Sequence, residues 1–90
     1  MLCGIVRRLN VLGYTCNIHN GDGKLLLAAN VNNWPDLYAV AQSTGHDWVT
    51  FHEGDSVNCD GGVHIDWTVD GPVIADYCGP EELEDRICGY

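Results

Sequence analysis

His64-Ile65-Asp66 is where this chain comes nearest to a chemical site, because residues two apart on a strand project from the same face. A return strand entered through a three-residue turn, Asp70-Gly71-Pro72, would set Asp76 opposite Asp66 and Cys78 opposite His64. One imidazole and two carboxylates suit a divalent ion, and a thiol beside an imidazole and an acid is the start of a nucleophile. Each reading lacks a part. A non-haem iron centre needs a further His downstream, and none follows His64. A strand cysteine has its backbone N–H committed to the ladder and no helix N-terminus aimed at it, so no oxyanion site accompanies Cys78.

Other metal and phosphate chemistry finds less support. There is no Cys-x-x-Cys pair, Cys16 and His19 are three apart on a strand and so point to opposite faces, and His52, Cys59 and His64 match no zinc spacing. With Gly23 as a calcium-loop glycine, the first and twelfth positions would be Ile18 and Ala29, which offer no side-chain oxygen. Gly21, Gly23, Gly61 and Gly62 belong to turns, without the strand, glycine loop, helix and following Lys of a phosphate site. The expectation is a protein without catalytic residues, metal or cofactor. A small metal-dependent or thiol enzyme using His64, Asp66 and Cys78 stands as the alternative.

The elements that must position these groups are marked by glycines. Leu2, Ile5, Val6, Leu9 and Leu12 fall at helical spacing and stop at Gly13. Tyr14, Cys16 and Ile18 alternate with polar residues, Asn20-Gly21-Asp22-Gly23 turns, and residues 24–31 return, with Ile18 expected opposite Leu25, Cys16 opposite Leu27 and Tyr14 opposite Ala29. Pro35 opens a second helix capped at Asn33 or Trp34, with Leu37, Val40, Ala41 and Thr44 on one stripe up to Gly45. Residues 47–52 read as a strand, and residues 57–59 as a short optional one. In the hairpin after them Val63, Ile65, Trp67 and Val69 face inward, and across the three-residue turn so do Val73, Ala75 and Tyr77. Gly79-Pro80-Glu81-Glu82 starts a last helix that buries Leu83 and Ile87.

The order α-β-β-α-β-(β)-β-β-α gives an α+β fold: a mainly antiparallel sheet of four to five strands, with two or three short helices on one face. Ninety residues suit one domain, 1–90, and leave the other sheet face to solvent or a partner. Five cysteines are an odd number. With no secretory h-region near the N-terminus and no membrane span, they point to reduced thiols in a cytoplasm.

The net charge of −9 is unevenly placed. Residues 36–90 carry twelve acids and only Arg86, whereas residues 1–35 carry Arg7, Arg8 and Lys24 against Asp22. Such a field repels nucleic acid and anionic membrane and attracts basic surfaces. In the expected register Asp66 and Asp76 stand directly across two strands, at a cost of roughly 0.2–1 kcal/mol that folding does not require. Asp70 lies beyond them, and Asp47, Glu53, Asp55 and Asp60 rim the same end, while Glu81, Glu82, Glu84 and Asp85 cluster on the last helix. Spaced carboxylates with few cations can imitate the phosphate rows of a duplex. Trp67 and Tyr77 read as core, Trp34 as the exposed aromatic fit to anchor an interface, and Arg7 and Arg8 as a solvated helix face.

In size, acidity and lack of catalytic apparatus the chain resembles, as a class, the phage-encoded inhibitors of bacterial defence, among them anti-CRISPR and anti-restriction proteins, some of which act as DNA mimics. No motif carries that resemblance. It implies a non-enzymatic inhibitor that occupies the basic nucleic-acid-binding surface of another protein, through Asp66, Asp70 and Asp76 centrally, Glu53, Asp55 and Asp60 at the rim, and Trp34. A structural subunit that assembles through its uncovered sheet face is a further alternative.

Overall fold

A computed structural model of the protein describes residues 2–42, 46–54 and 59–88. Along the chain α1 spans Leu2–Val11, β1 Tyr14–Asn20, β2 Leu25–Ala29, α2 Trp34–Gln42, β3 His46–Glu53, β4 Gly61–Thr68, β5 Gly71–Cys78 and α3 Glu81–Cys88. The strands form one antiparallel sheet in the order β2-β1-β3-β4-β5, and the class is α+β as expected. Residues 57 and 58 of the optional short strand lie outside the described residues, and Cys59 belongs to no strand.

The apolar stripe of α1 buries Leu2, Ile5, Val6 and Leu9, each worth about 2 kcal/mol as area removed from water. The helix stops where Gly13 adopts φ +100°, its N–H donating to the Asn10 carbonyl at 3.1 Å. Leu12 lies past that end and is 39 % exposed, so the stripe is one residue shorter than its spacing suggests. The α2 start is built by asparagines. The Asn33 carbonyl accepts the N–H groups of Asp36 and Leu37, while its side chain accepts from the Asn30 N–H and donates to the Ala28 carbonyl. Leu37 is buried and Val40 and Ala41 partly so; Thr44 and Gly45 lie outside the described residues. Because β1 sits between β2 and β3 and opposes both, those two run parallel, and α2 is the crossover between them.

Every buried strand side chain between helices and sheet comes from one face: Cys16, Ile18, Ala29, Val49, Phe51, Val63 and Ile65. Leu83 and Ile87 of α3 complete the cluster, as the spacing predicts. Phe51 is its largest fully buried side chain, edge-on to Tyr14 at 5.3 Å and stacked on Tyr77 at 6.5 Å, so one ring joins strands from both halves of the chain. Gly61 is required beneath it. A Cβ there would stand 2.5 Å from the Phe51 ring and 2.4 Å from the Cys78 carbonyl.

Both hairpin registers differ from expectation. In the first, Ile18 faces Leu27 and Cys16 faces Ala29, with a bulge before His19; the shift of two keeps the core face but leaves Leu25 52 % exposed. In the second, the turn is Val69-Asp70 between Thr68 and Gly71, not Asp70-Gly71-Pro72. The Thr68 hydroxyl accepts the Asp70 N–H and donates to the Gly71 carbonyl, and Gly71 takes φ +111°. Pro72 thus enters the ladder opposite Trp67, which is permitted because β5 is an edge strand, where a nitrogen that faces outward has no bond to lose. The Val69-Asp70 turn sets Val73 outward and Ile74 inward, and a bulge at Ala75 then returns Asp76 outward and Tyr77 inward.

Candidate partner-binding site

The face away from the helices carries, from β1 outward, Asn17 and His19; Trp48, Thr50 and His52 on β3; His64 and Asp66 on β4; and Val73, Asp76 and Cys78 on β5. Alternation puts them there: each on β1, β3 and β4 neighbours a residue buried on the opposite face, and those on β5 neighbour the half-buried Ile74 or Tyr77. No described element covers them. Trp48 is 38 % exposed and lies tilted over the His64 ring at 5.0 Å, while His19 Nε2 and Thr50 Oγ1 are 3.3 Å apart. Nδ1 of His52 is buried with no hydrogen-bond partner among the described residues.

The corrected register rearranges the expected charges without scattering them. Asp76 faces His64 and Asp66 faces Val73, so the two acids are diagonal neighbours on one face, not a directly opposed pair. They stay on one face because the shift from Asp76 to Cys78 is two residues, and the bulge at Ala75 confines the odd shift to Gly71–Ile74 on the turn side. Asp66, Asp70 and Asp76 are all exposed. Asp76 also accepts the Tyr77 N–H at 2.9 Å. Of the rim, Asp60 is partly structural: its carboxylate accepts the Glu53 N–H at 2.7 Å and its own N–H bonds the Phe51 carbonyl at 2.8 Å, tying β3 to the start of β4. Asp55, and with it the Asp47 side chain, lies outside the described residues.

Trp34 and Trp67 exchange the roles their sequence context suggests. Trp34 packs against the core, donates its indole N–H to Asn10 Oδ1 at 2.9 Å and carries the Arg7 guanidinium 4.6 Å above its ring. Asn10 explains this. It is a buried polar side chain whose amide also donates to the Tyr14 and Ala29 carbonyls, so it fixes α1, β1, β2 and Trp34 together. Trp67 is 47 % exposed, and with Val69 and Val73 it forms an apolar hairpin end beyond the ground three short helices cover. Trp48, Trp67 and Val73 are thus the exposed apolar candidates that sequence reasoning missed; for Val73 the only signal was the edge-strand proline beside it. Tyr77 is half-buried, its hydroxyl donating to the Pro80 carbonyl at 2.7 Å.

The pairing that the three-residue turn gave the enzyme alternative is not the one formed. Cys78 faces Gly62, so His64, Asp66 and Cys78 are not assembled as the three-residue turn would have them. Among the described residues no three His, Cys, Asp or Glu side chains are grouped to hold a metal ion. Burial pushes the Cys16 thiol up to about 12, which keeps it protonated and unreactive near neutrality. No described helix is long and apolar enough to cross a membrane.

No protein-family model matches this chain, and no match is found among curated proteins or solved structures.

Proposed function

We propose that the protein is a non-enzymatic inhibitor or interaction protein whose uncovered sheet face and β4–β5 hairpin occupy the basic nucleic-acid-binding surface of another protein. The observation that carries this reading is the pairing, on one uncovered sheet face, of the carboxylates of Asp66 and Asp76 with the half-exposed ring of Trp48, extended at the hairpin end by Asp70 and by the exposed part of Trp67 from the other face. Carboxylates steer and orient a basic partner, and desolvated aromatics supply the affinity. Folding alone calls for neither the clustered acids nor the exposed rings. The sheet order supports the reading, since β4 and β5 lie side by side at one edge and hold Asp66, Asp70 and Asp76 together. A DNA-mimic role, of the kind phage anti-CRISPR and anti-restriction proteins perform in a host cytoplasm, is the specific form of this proposal.

The test is capture of a nucleic-acid-binding protein from a candidate host, followed by competition with duplex DNA and by salt titration. Asp66→Lys with Asp76→Lys is expected to weaken the captured interaction roughly 10- to 100-fold, and affinity should fall steeply with salt. An unchanged affinity in the double variant, with no displacement by DNA, sinks the reading.

A further inference from the structure

The chain has four Lys and Arg residues against thirteen Asp and Glu, and three of the four, Arg7, Arg8 and Arg86, line one groove between α1 and α3. Arg7 and Arg8 are not the plain solvated helix face their position off the apolar stripe suggests. The Arg8 guanidinium donates from Nη1 to the Arg86 carbonyl at 2.8 Å, which draws the last turn of α3 against α1 from 78 residues away in the chain. Among the described residues neither Arg7 nor Arg86 is ion-paired with a carboxylate, although Asp85 lies in the groove wall. Arg7 is instead held over the Trp34 ring, whose indole is anchored to Asn10. Clustering cations costs repulsion that scattering them among the acids would turn into attraction.

The rest of the groove is apolar. Val11 is 74 % exposed and Leu12 39 %, and both line it with one side of Trp34. Its volume is about 700 Å³, in the range of small-molecule sites. We propose that this groove binds a small organic anion: a phosphate or carboxylate held by Arg7 and Arg86, attached to a flat or apolar body lying on Trp34, Val11 and Leu12. Planar guanidinium forks match both headgroups. The occupant is small because the chain's net charge of −9 repels a long polyanion, while a short one sits within a screening length of the arginines. This site stands on the helix side of the molecule and does not depend on the partner-binding reading.

Nitrogen-15 NMR of the full chain tests it. The probes are phenyl phosphate, phenylacetate and, as a neutral counterpart, benzyl alcohol, each titrated to roughly 10 mM. The Trp34 indole N–H and the Arg7 and Arg86 Nε–H signals are expected to shift saturably with at least one anion, and the tighter of the two identifies the headgroup. Benzyl alcohol should bind at least about tenfold more weakly, and Arg7→Gln with Arg86→Gln should weaken anion binding at least about tenfold while the β4–β5 amide signals stay in place. The proposal is overturned if neither anion saturates, if benzyl alcohol binds as well as the anions, or if the double variant binds them unchanged. Both variant positions are exposed, and the comparison of anion with alcohol needs no variant at all.

Discussion

Residues 59–88 build β4, β5 and α3 and carry eight carboxylates against Arg86, while residues 2–42 build α1, β1, β2 and α2 and carry Arg7, Arg8 and Lys24 against Asp22 and Asp36. The sheet order sets β4 and β5 on the far side of β3 from β1 and β2, so the strand acids stand apart from the first half, whereas α3 returns to α1 and brings Asp85 and Arg86 beside Arg7 and Arg8. The first half satisfies its polar groups internally, through Asn10 and the asparagines at the α2 entry. The second leaves Trp67, Val69 and Val73 exposed beside its acids. The contrast lies in the polar groups, since both halves expose apolar side chains: the first half turns asparagines inward to tie its elements together, and the second turns carboxylates outward.

The comparison can be broken first at the seam. Phe51→Ala removes the ring that touches Tyr14 on one side and Tyr77 on the other, and is expected to cost about 4 kcal/mol. Denaturant unfolding followed at the indole signals of Trp34 and Trp67 should then show one midpoint; two midpoints would mean the halves hold together less well than the shared core implies. Asn10→Leu is the next largest change. It strands the Tyr14 and Ala29 carbonyls and the Trp34 indole, for a loss of roughly 3 kcal/mol, and its chemical-shift changes should stay in the first half.

A smaller effect comes from pH. Cys16 is held protonated to about 12 against an ordinary 9.0, so between these values the unfolded chain gives up a proton that the folded one keeps, and stability falls as pH rises. This group's contribution is intact below pH 9 and declines by about 1.4 kcal/mol per pH unit above it. Cys16→Ala should flatten that slope in denaturant titrations at pH 8 to 11, roughly the window that follows from the shift. Asp66→Lys with Asp76→Lys should change thermal stability by no more than ~0.5 kcal/mol, because both are exposed. A large loss there would mean the acids serve the fold after all.

Much of the fold was legible in the residues. The three helices, the turn at Asn20-Gly21-Asp22-Gly23 and the inward sets Cys16/Ile18, Val63/Ile65 and Leu83/Ile87 follow from periodicity and glycine placement, because burial of one face is encoded directly in spacing. The candidate site was legible only in part. Asp66, Asp70 and Asp76 are exposed as read, but the Asp66–Asp76 opposition, the Cys78–His64 pairing and the roles of Trp34 and Trp67 were not. Register rests on where a bulge falls and which strand is the edge. Asn10 looks like any polar residue on a helix until two strands and an indole close around it.

By itself, the sequence determined the α+β class, the helical and strand stripes and the segregation of charge along the chain, since each depends on residues close together in sequence. Only the tertiary structure decided that α3 returns to α1, bringing Arg86 to Arg7 and Arg8, that Pro72 can sit in an edge ladder, and that a bulge at Ala75 keeps Asp66 and Asp76 on one face. Those outcomes turn on which distant segments become neighbours, and local pattern carries no record of that.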